Sequence, residues 1–131
     1  MKRDLDSIIL TRQELQIMKV VWKLGKATVK QVRDTIAEKK PTAYTTILTL
    51  MGILEEKGVL IHSKTGRSFL YKPLLSHRQA THNQVRDLIE RFFEGNPEKL
   101  AKYLRDKGAV GLEGHIDHGN QPKSAIESQV A

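Results

Sequence analysis

The 131-residue sequence contains no cysteine. A disulfide framework and any thiolate metal site are therefore excluded. No apolar run approaches the roughly 18 residues of a membrane span, so no membrane insertion is expected. The opening stretch, MKRDLDSIIL, is charged and has no signal-peptide core. A cytoplasmic location is the expectation. Catalytic signatures are missing too. No Ser-His-Asp or Cys-His arrangement is suggested, and no phosphate-cradling Gly loop follows a strand. The acidic residues are scattered over charged helix faces, where solvated ion pairs are the usual explanation. Neither an enzyme nor a cofactor site is expected. The one metal-like cluster is His115, Asp117 and His118, two imidazoles and a carboxylate suited at most to weak Zn²⁺ or Ni²⁺ binding. Its polar tail setting favours incidental residues, so no metal site is assigned. His62, His77 and His82 are isolated in the sequence and read as packing or surface residues.

What is present fits one modest core. Hydrophobic residues make up 39% of the chain and charged residues 28%. The net charge of +7 is unevenly placed. Residues 1–75 carry 14 Lys/Arg against 7 Asp/Glu, while residues 76–131 carry 8 of each. The whole excess lies in the first part, which suggests a polyanion-binding module joined to something else.

Helix starts are well marked. Thr11 with Glu14, Thr28 with Gln31 and Ser76 with Gln79 fit the capping box, and Asn96-Pro97 fits an N-cap with proline in the first turn. Gly25, Gly58, Gly95 and Gly108 follow periodic apolar segments as stops. The pattern predicts a first helix over 12–24 with Leu15, Met18 and Trp22 as its buried stripe and Val21 beside it. A second helix is expected over 29–39, with Val32 and Ile36 facing in. A third starts near Thr42, with Ala43, Ile47, Leu50, Met51 and Leu54 on its apolar side. VLIHS and SFLYK around KTGR then read as a β-hairpin with Gly66 at the turn. A long helix over 77–94 and a short one over 97–106 follow. The tail from residue 108 on is Gly-rich and polar, and a disordered or weakly ordered segment is expected there.

Three helices and a hairpin on a basic chain predict a mainly α fold with a small β-hairpin wing, a winged helix-turn-helix. The third helix then has an unusual outer face. Four threonines (Thr42, Thr45, Thr46, Thr49) lie within eight residues, with Tyr44 among them. Threonine is a mediocre helix former. A hydroxyl that donates or accepts and a methyl that packs on thymine suit it to a base edge. Gly52 removes side-chain bulk where the helix would meet the groove wall, and Tyr44 is placed to reach a phosphate. Lys26, Lys30, Arg33, Lys39, Lys40, Lys64, Arg67 and Lys72 surround this face in the order of the chain, and such charges fix register on a DNA backbone. Lys26, Lys30, Thr42, Tyr44, Thr45, Thr46, Thr49, Lys64 and Arg67 are the expected DNA-binding residues. In the C-terminal helices, Val85, Leu88, Ile89, Phe92, Leu100, Tyr103 and Leu104 are too many apolar groups for a helix pair standing alone, and a homodimer interface is expected there.

LTRQELQIMKVVWKLGKATVKQV, AYTTILTLMGILEEKGVL and KTGRSFLYKP together resemble the penicillinase-repressor family (BlaI/MecI/CopY) over about residues 8–106. The resemblance implies a dimeric winged-helix repressor on a palindromic operator in double-stranded DNA. Its domains would be a winged-helix DNA-binding domain over 8–75, a helical dimerisation region over 76–107 and the tail over 108–131. In the β-lactam-responsive branch a membrane sensor-protease system triggers cleavage in the C-terminal helices. The family's Asn-Phe bond is matched here by Lys102-Tyr103. Many relatives carry a basic residue where this chain has Ile53. The copper-responsive branch senses metal through cysteines, which this chain lacks.

Two other readings compete. A protein-interaction module built on the C-terminal helices would leave the uneven charge unexplained. A ligand-responsive regulator would need a pocket domain that so few short helices do not build. Both would show only non-specific DNA affinity, so a gel shift on the upstream DNA of the gene separates them from a repressor.

Overall fold

Local capping chemistry starts the first two helices. In a computed structural model describing residues 4–108, the Thr11 hydroxyl accepts from the Glu14 N–H at 3.1 Å, and the Thr11 N–H donates to Glu14 Oε1 at 2.9 Å. Helix α1 (Arg12–Leu24) follows and ends at Gly25, whose φ of +84° is left-handed territory that suits glycine. The same reciprocal bonds between Thr28 and Gln31, at 3.1 and 2.8 Å, open α2 (Val29–Ala37). Helix α3 (Tyr44–Glu56) has Ala43 at its N-cap and no side-chain cap. The hairpin is β1 (Leu60–Thr65) paired antiparallel with β2 (Ser68–Pro73), with His62 opposite Tyr71 and Lys64 opposite Phe69. Gly66 and Arg67 form its two-residue turn. Gly66 has φ +63° and Arg67 does not share it, the pattern of a II′ turn. Helices α4 (His77–Phe92) and α5 (Pro97–Tyr103) complete the order, and a π-helical turn, Leu104–Gly108, continues from α5.

The described residues divide into two compact units, 4–84 and 85–108, and the division falls inside α4. The first unit holds a single core. Ile17, Met18 and Val21 of α1 pack with Val32 of α2 and with Ile47, Met51 and Leu54 of α3. Val59, Leu60, Tyr71 and Leu75 close it from the hairpin side. Ala27 bridges to the outer side of β2: its N–H donates to the Tyr71 carbonyl at 2.9 Å and its carbonyl accepts from the Tyr71 N–H at 2.8 Å. The Trp22 indole N–H donates to the Leu75 carbonyl at 2.8 Å, and the His77 ring packs on the Trp22 ring at 4.8 Å, tilted by 37°.

Three expectations shift. The buried face of α1 is Glu14, Ile17, Met18 and Val21, with Leu15 and Trp22 only half-buried. A carboxylate has taken a core position because Lys57 reaches it, with Nζ at 2.9 and 2.7 Å from its two oxygens. Helix α2 stops at Ala37, and the Lys39 and Lys40 N–H groups turn back onto the Ile36 carbonyl. Consequently α3 begins two residues later than expected. Thr42 lies outside it, with its hydroxyl donating to the Lys40 carbonyl at 2.8 Å, and Ala43 is exposed.

A buried polar group joins the core unforeseen. Asn83 of α4 donates to the Leu5 and Ile8 carbonyls at 2.7 and 3.0 Å and accepts from Gln79 at 2.8 Å. It ties the segment before α1 to this unit. The tail and its His115, Asp117 and His118 lie outside the described residues.

Candidate nucleic-acid interface

From Tyr44 to Leu54 helix α3 carries no charged side chain. Its inward face is Ile47, Met51 and Leu54. At 100° per residue the opposite face is therefore Thr45, Thr49 and Gly52, with Thr46 and Ile53 on one flank and Leu48 on the other. All six are exposed. Gly52 has ordinary helical backbone, and a Cβ added there would meet nothing within 4 Å. Glycine in a helix interior costs about 1 kcal/mol relative to alanine. Nothing in the fold asks for it at this position. The face is shallow, uncharged and set with hydroxyls and methyls.

Exposed cations stand on the same unit. Lys26 is exposed just before the Ala27 bridge to the hairpin. Lys30 projects from the first turn of α2 with its side chain 73% exposed, and its Nζ lies 2.8 Å from Asp34. Arg33 meets the other oxygen of Asp34, also at 2.8 Å. The hydrogen bond from Lys30, followed by the charges of Lys30 and Arg33, holds the Asp34 carboxyl below the usual range, so it stays ionised. Two cations thus share one anion, and Lys30 exchanges one oxygen partner for another if it meets a phosphate. Lys64 and Arg67 are exposed on the hairpin tip, and Tyr44 stands exposed in the first turn of α3. Of the nine expected DNA contacts, eight are exposed and Thr42 is half-buried in the turn ahead of α3.

The hairpin is held to α3 by a contact the sequence did not suggest. His62 Nδ1 lies 2.7 and 2.8 Å from the two carboxylate oxygens of Glu55. Its ring packs against Phe69 at 4.7 Å and Tyr71 at 5.4 Å. The phenol of Tyr71 is pushed above its ordinary value, first by burial and then by the negative charge of Glu55 and by Tyr44, so it remains a neutral packing group.

In the second unit, Val85, Leu88, Ile89 and Phe92 recur at i, i+3, i+4 and i+7 and form one stripe. Phe92 is 64% exposed, with the Arg91 guanidinium 5.7 Å above its ring, and Val85 is exposed too. Leu100 is half-buried, whereas Tyr103 and Leu104 are exposed. Tyr103 faces Phe93 at 6.0 Å. The bond between Lys102 and Tyr103 lies in the last turn of α5, and Lys102 pairs with Asp106. Among the described residues no cluster of His, Cys, Asp or Glu is gathered to hold a metal, and no helix is long and apolar enough to cross a membrane.

A family profile described as penicillinase repressor matches residues 10–112. An uncharacterised 16.5 kDa protein of the ptsI 3′ region of Latilactobacillus sakei is 33% identical over 81 residues, 62% of this chain and 56% of that protein. A penicillinase repressor of Bacillus licheniformis is 30% identical over 82 residues, 63% of this chain and 64% of that one. The chain thus spans less than two thirds of these curated relatives. Among solved structures, the solution structure of the DNA-binding domain of the repressor BlaI matches with a TM-score of 0.51 at 30% identity, covering 59% of this chain and 92% of that domain.

Proposed function

Because the chain belongs to the penicillinase repressor family, we propose that it is a non-catalytic, DNA-binding transcriptional repressor working in the cytoplasm. One observation carries the reading: the uncharged, threonine-lined face of α3, with Gly52 in it, on a unit whose Lys26, Lys30, Lys64 and Arg67 are exposed. Thr45, Thr46 and Thr49 would read base edges in the major groove. Thr42, Tyr44 and the cations would hold the phosphate backbone, with the hairpin as a wing. The first test is a gel shift on the DNA upstream of the gene.

Reading and anchoring separate on mutation. Thr45→Ala or Thr49→Ala erodes discrimination between the operator and a scrambled duplex by about 1–3 kcal/mol. Arg67→Ala weakens both duplexes alike. If the threonine variants lost only general affinity, α3 would not be the reader.

Residues 8–75 serve as the DNA-binding domain and residues 76–107 as the dimerisation region. The operator is palindromic because a two-fold dimer presents two equivalent reading helices. The apolar stripe from Val85 to Phe92, exposed at Val85 and Phe92 and half-buried at Leu88 and Ile89, is with Leu100, Tyr103 and Leu104 the surface a second copy would cover. Truncating Phe92 on such a surface costs about 3–5 kcal/mol, so Phe92→Ala sediments as a monomer at micromolar concentration. An unchanged dimer puts the interface elsewhere.

Release follows from the same division. Two half-sites bind tightly only while the dimer tethers two winged domains at high effective concentration. Cleavage in or near α5, at Lys102-Tyr103 by resemblance and under a membrane sensor-protease system, would leave the reading face intact and remove the tether. That bond is helical, so a protease needs local opening of α5 before it can cut.

A further inference from the structure

The two parts of the proposed interface, the α3 face and the wing tip, act together only if the hairpin is held at a fixed angle to α3. The base of the hairpin is anchored: Leu60 and Tyr71 are buried, and Tyr71 pairs with Ala27. Further out the support fades. Every residue from Ile61 to Phe69 is exposed, and a two-stranded hairpin alone is marginal in water. His62 sits at the transition. It lies two cross-strand pairs inward from Lys64–Phe69, on the same face, and its Nδ1 meets both oxygens of Glu55 on the last turn of α3. A carboxylate only accepts, so Nδ1 carries the proton and donates. The ring is fixed in turn by Phe69 and Tyr71.

We infer that Glu55 and His62 are positioning residues for DNA binding: their hydrogen bond latches the wing to the recognition helix and so sets where Lys64 and Arg67 fall on the backbone. The inference rests on the DNA-binding reading. Neither residue needs to touch DNA. Both side chains are about one third exposed, so an exposed pair of this kind adds little to global stability, and its removal leaves the fold intact. What it changes is the freedom of the strand ends beyond it. A wing free to swing gives Arg67 many positions, few of which meet a phosphate.

A double-mutant cycle on the full chain tests this. Operator affinity is measured for the native protein, Arg67→Ala, Glu55→Ala and the double variant. Arg67→Ala alone is expected to weaken binding at least about fivefold, but less than about twofold in the Glu55→Ala background. Glu55→Gln, whose amide oxygen still accepts from Nδ1, restores most of the Arg67 effect. Equal Arg67 factors in both backgrounds overturn the latch. A second measurement is independent of DNA. Amide exchange at Ser63–Phe69 is expected to quicken about fivefold or more in Glu55→Ala, with α1 to α3 and the melting temperature unchanged. Unchanged hairpin exchange likewise overturns it. Failure of the native chain to bind any duplex overturns the DNA-binding reading instead, and the exchange measurement still decides the latch.

Discussion

Raising salt from 50 to 200 mM is expected to weaken operator binding by about a thousandfold or more. The entire +7 excess lies within residues 1–75, where the α3 face, the start of α2 and the wing stand. If each protomer neutralises three to five phosphates, a dimer neutralises about six to ten, and each released counterion contributes about 0.9 to the slope of log K against log salt. Six contacts over a fourfold rise in salt already give a factor of about 1,800. The Lys30–Asp34 pair places this protein toward the lower end of that range, because part of the charge on α2 is already compensated. Arg67→Ala should reduce the slope of a dimer by about two, one contact per protomer. Fluorescence anisotropy across a salt series reads both quantities. A nearly flat line would sink the electrostatic part of the proposed function.

Lys57→Met is expected to destabilise the first unit by about 3 kcal/mol. Glu14 is only 4% exposed, and removing the partner of a buried ion typically costs 3–5 kcal/mol. The low end applies because Lys57 is itself 31% exposed and the Thr11 N–H still donates to the carboxylate. On a domain of this size the melting temperature falls by roughly 12 °C or more. Glu14→Gln should be milder, since it leaves Lys57 free to turn its ammonium to water. The pH dependence gives a sharper check. Burial, the strongest single influence, pushes the Glu14 carboxyl up. The hydrogen bond from Lys57, the Thr11 N–H and the Lys57 charge together outweigh it, and the carboxyl titrates below its ordinary value of 4.5. A carboxyl lowered on folding adds stability that is fully present above 4.5 and is lost as pH falls through its folded value. Without Lys57 its hydrogen bond and charge no longer lower the carboxyl while burial still raises it, so the variant loses less stability than the native chain as pH falls below 4.5. Melting curves between pH 3 and 7 should therefore converge as pH falls. Curves that fall in parallel would show that Lys57 does not control this carboxylate.

Where helices begin was legible in the sequence because capping is local. A hydroxyl three residues from a Glu or Gln finds its partner whatever the rest of the chain does, so Thr11 and Thr28 marked α1 and α2 correctly. The hairpin was legible for the same reason: a two-residue turn with glycine fits few other geometries. The threonine face of α3 followed from periodicity once Ile47, Met51 and Leu54 were placed inside. Charge placement needed only counting.

The tertiary structure decided whatever depends on a distant partner. Hydropathy sends a glutamate outward, but Lys57, 43 residues away, pairs with Glu14 inside, where α1 buries Ile17, Met18 and Val21 and leaves Leu15 and Trp22 half-buried. Asn83 reads as one more polar residue of a charged helix until the carbonyls of Leu5 and Ile8 arrive from more than 70 residues upstream. His62 looked isolated because Glu55 lies across the turn between a helix and a strand, where neither periodicity brings them together. In each case the sequence fixes the residue but not its desolvation, because the free energy of a buried polar group is set by the partner that folding delivers.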